Sequence, residues 1–277
     1  MAYENFNTLT VTVDKGVATA TLNYGELNLM DMAMLMDIDR LGREVEADDA
    51  IKVLVLQSAN PDFFVAHADL DLIATLPPEP EPREEALGAI NAALDRLRTM
   101  PKVSIAKIAG RCRGGGSELA LACDMRFATL GKAVFGQPEV GVGIIPGAGG
   151  TVRLPRLVGR GRALEMILGC GDISAEVAER YGYVNRALPA AEIDYFVSSL
   201  AQRIASFPAQ ALALAKASVN MTGSIEEQLN YEERAFLESV HSEPARRRMD
   251  AAMAMGMQTP TIEKCCFTHI WGPLAGV

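Results

Sequence analysis

The chain reads as an α/β protein with a helical C-terminal part, and three features of its sequence predict this. Short apolar runs of strand length alternate with helix-length amphipathic stretches through the first half. From about residue 160 onward the pattern is mostly helical. A run of three glycines, Gly114 to Gly116, separates an apolar strand-like run from an apolar helix-like one. With 277 residues, 49% of them hydrophobic, the chain has ample material for the core of one or two domains.

The elements follow in order. LTVTVD and VATATLN alternate apolar and polar residues around Lys15-Gly16, which predicts an opening β-hairpin. Asp31 can cap a helix running to about Ala47, with Met34, Leu35, Ile38 and Leu41 on one face. IKVLVLQSA is nearly continuous in apolar character, as a strand buried on both faces requires. LPPEPEPREE carries too many prolines for helix or central strand and reads as an exposed loop. A helix over about 83–98 and a buried strand in VSIAKIAG follow. Further on, Ser224-x-x-Glu227 has the spacing of a capping box ahead of Leu229, Phe236 and Val240. Met249, Met253 and Met257 fall at i, i+4, i+8, as for helix packing, although Gly256 would weaken such a helix.

Charge and composition exclude several classes. A formal net charge of −9 argues against nucleic acid, whose phosphates demand a basic face. The short run Arg246-Arg247-Arg248 reads as a solvated helix face. No signal peptide or membrane-spanning run is visible, so a soluble cytoplasmic protein is expected. Five cysteines at irregular spacing, with Cys265 and Cys266 adjacent, suggest neither a disulfide framework nor a metal site.

Chemistry concentrates in GRCRGGGSELALACD, residues 110–124. Glycines between a strand and a helix expose main-chain N–H groups that can hold a negative charge. A phosphate cradle is one reading, but neither the P-loop pattern nor G-x-G-x-x-G is present. A nucleophile elbow at Ser117 fails as well, because Leu119 stands where glycine is needed. Ser117 then reads as a small first-turn residue. The better reading is an oxyanion hole with Glu118 as an acid/base group. A second glycine-rich stretch, FGQPEVGVGIIPGAGGT, supports it by adding another carboxylate, Glu139, in apolar surroundings. Two carboxyl groups so placed take separated, raised pKa values.

GRCRGGGSELALACDMRFAT and AVFGQPEVGVGIIPGAGGTVRLPRLVG together resemble the crotonase family of enoyl-CoA hydratases and isomerases, as does FFVAHADLDLI upstream. The likeness spans roughly residues 8 to 220. It implies a crotonase-like spiral of ββα units over residues 1–200, carrying the acyl-CoA site, and a helical oligomerisation region over 201–277. It further implies a homotrimer or dimer of trimers. The N–H groups of Ala68 and Gly115 would form the oxyanion hole for an acyl-thioester oxygen. Glu118 and Glu139 would hold and activate water, with Gly147 contacting that water through its backbone. Ala66, His67, Asp69, Leu70 and Gly116 would line the substrate site. Coenzyme A enters as part of the substrate, with no permanently bound cofactor and no metal. The implied reaction is hydration of a 2-enoyl-CoA to a 3-hydroxyacyl-CoA. Double-bond isomerisation, hydrolysis or dehydration on the same fold, or an inactive binding subunit, are the alternatives.

The chain departs from the family pattern in three places. His67 stands where glycine is usual, and it either bonds a neighbouring backbone group or reaches the acyl pocket. LNYGELNLMD is short and has no Lys or Arg for nucleotide phosphates, leaving Arg111 and Arg113 as the nearest basic residues in the motif. The ending MAMGMQTPTIEKCCFTHIWGPLAGV does not resemble the family's.

Overall fold

A computed structural model describes residues 3–74, 88–223, 236, 238 and 242–255. The proline-rich loop, the capping box at Ser224, Met257, Cys265 and Cys266 lie outside the described residues. Two sheets organise the chain. The larger has strand order β1-β2-β3-β5-β7-β10 and the smaller β4-β6-β8-β9. β1 (Leu9–Asp14) and β2 (Val17–Leu22) form the expected hairpin, with Asp14 opposite Val17. The two-residue loop puts Lys15 at φ 47° and Gly16 at φ 80°, the paired positive φ of a tight hairpin turn.

The remaining elements repeat one unit. A strand enters the large sheet, the next enters the small sheet, and helix returns the chain. β3 (Val53–Ser58) and β4 (Phe63–Val65) lead to α2 (Leu70–Ala74) and α3 (Ala89–Thr99). β5 (Val103–Ile108) and β6 (Arg111–Arg113) lead to α4 (Gly115–Ala122). β7 (Met125–Thr129) and β8 (Val134–Gly136) lead through a 3₁₀ turn (Glu139–Val142) to α5 (Gly150–Val158) and α6 (Arg160–Gly169). β9 (Ile173–Ser174), α7 (Ala175–Tyr181) and β10 (Arg186–Leu188) close the spiral. β2, β3, β5, β7 and β10 run parallel, as do β4, β6 and β8.

Burial follows the sequence pattern. In β3, Leu54 and Leu56 face the main core, while Val53 and Val55 face a second cluster with Val197 and Ala201 of α8 (Ile193–Ala205). That double burial explains the unbroken apolar run. α1 (Met32–Ala47) starts at Asp31, whose Oδ1 accepts from the Met34 N–H at 2.9 Å, a cap worth about 1 kcal/mol. Its Met34, Leu35, Ile38 and Leu41 are buried as expected.

Several expectations change. The helix expected over 83–98 is seen from Ala89 to Thr99. The division expected at 200/201 falls inside α8, which continues across it because its apolar stripe lies against the large sheet. Beyond it come α9 (Ala209–Asn220) and α10 (Glu243–Ala254). On α10, Met249 and Met253 are half exposed rather than packed within the chain. Arg248 is not simply solvated: its Nη1 donates to the Ser206 carbonyl at 3.0 Å beside the Phe207 ring.

Candidate active site

The triple glycine sits where β6 hands over to α4. Gly114 has φ 48° and ψ −123°, a conformation closed to side-chain-bearing residues. A Cβ there would also lie 2.8 Å from Glu139 Oε1. Gly115 is the first residue of α4, so its N–H has no partner within the helix. A Cβ on Gly115 would stand 3.3 Å from the Ala68 nitrogen, which shows how closely the two main chains approach.

Ala68 is oriented by its neighbours. The Met30 N–H donates to the His67 carbonyl at 3.0 Å, and the Asp69 N–H donates to the Met30 carbonyl at 2.9 Å. In a trans peptide the N–H and C=O point in opposite directions. The Ala68 N–H therefore turns away from Met30, toward Gly115. Among the described residues neither the Ala68 nor the Gly115 N–H meets a protein acceptor. Two close donors, one at a helix N-terminus, are able to hold a negative charge.

Glu118 lies one turn into α4 and is only 3% exposed. Its Oε1 accepts from the Ala148 N–H at 2.7 Å and the Gly150 N–H at 2.8 Å. Burial raises its pKa, an increase that those two bonds and the charge of Arg153 lessen without cancelling. Arg153 also anchors the loop that supplies the amides. Its Nη1 donates to the Ala148 carbonyl and its Nη2 to Asp95 Oδ1, both at 3.0 Å. Asp95 is itself gripped by Arg98 through two bonds of 2.7 Å.

Glu139 opens the 3₁₀ turn. Burial, with the charge of Glu118 adding to it, pushes its carboxyl up to about 7. Gln137 separates it from the core, and its amide orientation follows from its partners. With nitrogen toward Ser117, its oxygen would face the Glu139 carboxylate, acceptor against acceptor. Reversed, the nitrogen donates to Oε1 and Oε2 of Glu139 at 3.2 and 3.1 Å, and the oxygen accepts from Ser117 Oγ at 3.3 Å. Ser117 Oγ in turn lies 2.8 Å from the hydroxyl of Tyr183. Ser117 is thus more than a small first-turn residue.

Between the carboxylates and α2 lies a largely apolar cavity of about 330 Å³. Ala68, Gly115, Glu118, Glu139 and Gly147 all line it, five of the expected residues brought together. Met30, Leu35, Leu72, Ile73, Ile90 and Ile144 supply its apolar wall. The other expected substrate contacts lie elsewhere. Ala66 is buried, with its N–H bonded to the Leu27 carbonyl at 3.2 Å. The His67 ring bonds through Nδ1 to the Ala68 carbonyl at 2.8 Å and does not line the cavity. Asp69 accepts from the Asp71 N–H, and Leu70 is 55% exposed. Gly116 is packed against β4, where a Cβ would lie 2.4 Å from the Val65 carbonyl oxygen. That close approach to β4 accounts for glycine at this position. Arg113 pairs with Asp172 at 2.7 Å, and Arg111 lies over the Phe63 ring.

Sequence reading missed Gln137, Tyr183, the Ala148 and Gly150 amides and the apolar lining. Gln137 had a local signal, a lone amide two residues before Glu139; Tyr183 had none. Among the described residues no group of three or more His, Cys, Asp or Glu side chains is placed to hold a metal ion. Nor is any helix among them long and apolar enough to cross a membrane.

Comparison with known proteins identifies the family. Residues 12–259 match the enoyl-CoA hydratase/isomerase family, and the chain belongs to it. It is 36% identical over 238 residues to the short-chain-enoyl-CoA hydratase of Clostridium acetobutylicum, covering 85% of this chain and 90% of that protein. It is 37% identical over 240 residues to the crotonyl-CoA hydratase of Syntrophomonas wolfei, with the same two coverages of 85% and 90%. The crystal structure of enoyl-CoA hydratase from Bacillus anthracis superposes with a TM-score of 0.82 at 31% identity, over 90% of this chain and 96% of that one. The fold is the crotonase fold.

Proposed function

We propose that the protein adds water across the double bond of a 2-enoyl-CoA to give a 3-hydroxyacyl-CoA. The observation that carries this reading is the pairing, in one apolar cavity, of two carboxylates with two unpartnered main-chain N–H groups. The thioester carbonyl oxygen accepts from Ala68 and Gly115. Water attacks C3 while Glu118 takes its proton, and the C2=C3 electron pair moves toward the carbonyl oxygen. The resulting enolate is stabilised by the two amides; losing one such donor typically costs about 10² to 10³ in rate. Glu139, which titrates near 7, supplies the proton to C2. No net proton is gained or lost. Hydration and dehydration therefore both use the singly protonated pair, and kcat/KM follows one bell-shaped pH profile in both directions.

Retention of both carboxylates at the cavity favours hydration over isomerisation, for which one can suffice. The coenzyme A moiety enters with the substrate. A homotrimer or dimer of trimers and a cytoplasmic place of action belong to the same reading, and sedimentation of the purified protein tests the first. The decisive experiment is turnover of a panel of 2-enoyl-CoAs, followed by loss of conjugated-thioester absorbance and identification of the product. A 3-hydroxyacyl-CoA supports the proposal. A 3-enoyl-CoA would make the protein an isomerase, and no turnover on any substrate would make it a binding subunit.

A further inference from the structure

Behind the catalytic pair, on the side away from the cavity, runs a buried polar chain that the reaction does not itself consume. Tyr183 follows α7, far from the glycine loops in sequence, yet it is fully buried with its ring 4.7 Å from that of Phe135. Its hydroxyl is 2.8 Å from Ser117 Oγ and 3.4 Å from the Ser117 carbonyl; with the single Ser117 proton given to the Gln137 oxygen, the tyrosine hydroxyl is the donor of the pair. Ser117 and Gln137 are also fully buried. A buried hydroxyl with a donor on one side has its own proton left for the other, here the Gln137 oxygen.

We infer that Tyr183 is a positioning residue: by donating to Ser117 it directs the Ser117 proton to the Gln137 oxygen, which holds the Gln137 NH₂ against Glu139. The order of donors is Tyr183 to Ser117 to Gln137 to Glu139, each step pointing toward the active site. Without the tyrosine proton, Ser117 becomes free to accept from Gln137. The amide then turns its oxygen toward Glu139, where it favours the protonated carboxyl instead of the carboxylate. Tyr183 thus sets how readily Glu139 gives up its proton without touching substrate.

Other charges around Glu139 do not substitute for this chain. Glu118 on α4 raises its pKa. The Arg113 guanidinium is engaged by Asp172, and Arg153 by Asp95. His67 approaches from the segment before α2, with its ring held by the Ala68 carbonyl. The Cys170 sulfur, just after α6, accepts from the Gly141 N–H. At the far end, Arg126 on β7 donates to the Tyr183 carbonyl and leaves its hydroxyl alone.

The inference rests on the proposed role of Glu139, and the experiment separates the two. The wild type, Glu139→Gln, Tyr183→Phe and Ser117→Ala are compared through the pH profile of kcat/KM with a 2-enoyl-CoA, alongside thermal melts. Tyr183→Phe keeps the ring and its packing. The expected result is a basic limb moved up by about one pH unit in Tyr183→Phe, since a hydrogen bond to the charged form has been exchanged for one to the neutral form. Ser117→Ala offers Gln137 no acceptor to turn toward, so the amide keeps its NH₂ on Glu139 and the limb should stay near wild type, in the double variant as well. An unmoved or lowered limb in a folded Tyr183→Phe overturns the inference; if that variant does not fold, a limb raised by about one unit in Ser117→Ala does so. A wild-type limb that persists in Glu139→Gln overturns the assignment of Glu139 itself, and the inference with it.

Discussion

Glu118 can be removed in two ways that the structure distinguishes. Glu118→Gln retains a side-chain oxygen that can accept from Ala148 and Gly150, whose N–H groups now bond Oε1 at 2.7 and 2.8 Å. It deletes the base but leaves the loop held. Glu118→Ala deletes the base and strands both donors, and a buried donor without a partner costs about 1–3 kcal/mol. Of the two, only the Gly150 bond is fully buried, so the difference in stability between the two variants is about 1–3 kcal/mol or more, which at about 2–4 °C per kcal/mol is readily seen in a melt. Their kcat values should fall alike, by at least about 10²-fold, because each lacks the same proton acceptor.

The assay is steady-state turnover with a 2-enoyl-CoA beside a thermal melt, at one pH near neutrality. Activity lost in both variants, with stability lost mainly in Glu118→Ala, is the expected pattern. Near-wild-type kcat in Glu118→Gln would refute the catalytic role. Equal melting temperatures for the two variants would refute the claim that the carboxylate holds the loop.

Other expectations follow from the same geometry. Glu139→Gln should lower kcat by at least about 10²-fold; a smaller loss would show that proton delivery does not pass through this side chain. Its stability should change with pH in a stated direction. The folded pKa of Glu139 is raised to about 7, so its ionisation weighs against folding as pH climbs through that value. The melting temperature of Glu139→Gln relative to wild type should accordingly increase between about pH 5 and pH 8, and a flat difference would contradict the burial argument. Gly115→Pro removes one proposed oxyanion donor at a helix N1 position, where proline is ordinarily tolerated; a folded variant should lose at least about 10²-fold in kcat. Gly116→Ala should instead lose stability, by about 1–3 kcal/mol or more, because its Cβ meets the Val65 carbonyl at 2.4 Å. His67→Ala should leave the ranking of acyl-chain lengths unchanged, since its ring does not line the cavity, and an altered ranking would return it to the acyl pocket.

What could be read from sequence was set by how local its physical cause was. Double burial of β3 leaves a continuous apolar run, and the Asp31 cap acts only three residues away, so both were legible. The glycine triplet was legible as a unit, but its members perform different tasks. Gly114 supplies a backbone conformation, Gly115 a donor with no partner in the helix, and Gly116 room for Val65. Only the third dimension separates them, because successive residues at the start of α4 point in different directions, Gly116 toward Val65 of β4 and Gly115 toward Ala68. The same limit applies to FFVAHADLDLI. Motif position suggested that Leu70 lines the site, whereas the start of α2 turns it to solvent and brings Leu72 and Ile73 inward. Tyr183 is the extreme case. It is 66 residues from Ser117, and its neighbours Gly182, Val184 and Asn185 give no sign of where its hydroxyl ends. Closing the spiral brings it behind α4, and the requirement that a buried hydroxyl find a partner then joins it to Ser117 on that helix. The chemistry at the cavity is thus written in short motifs, while its adjustment depends on contacts made when the last turn of the spiral closes against the earlier ones.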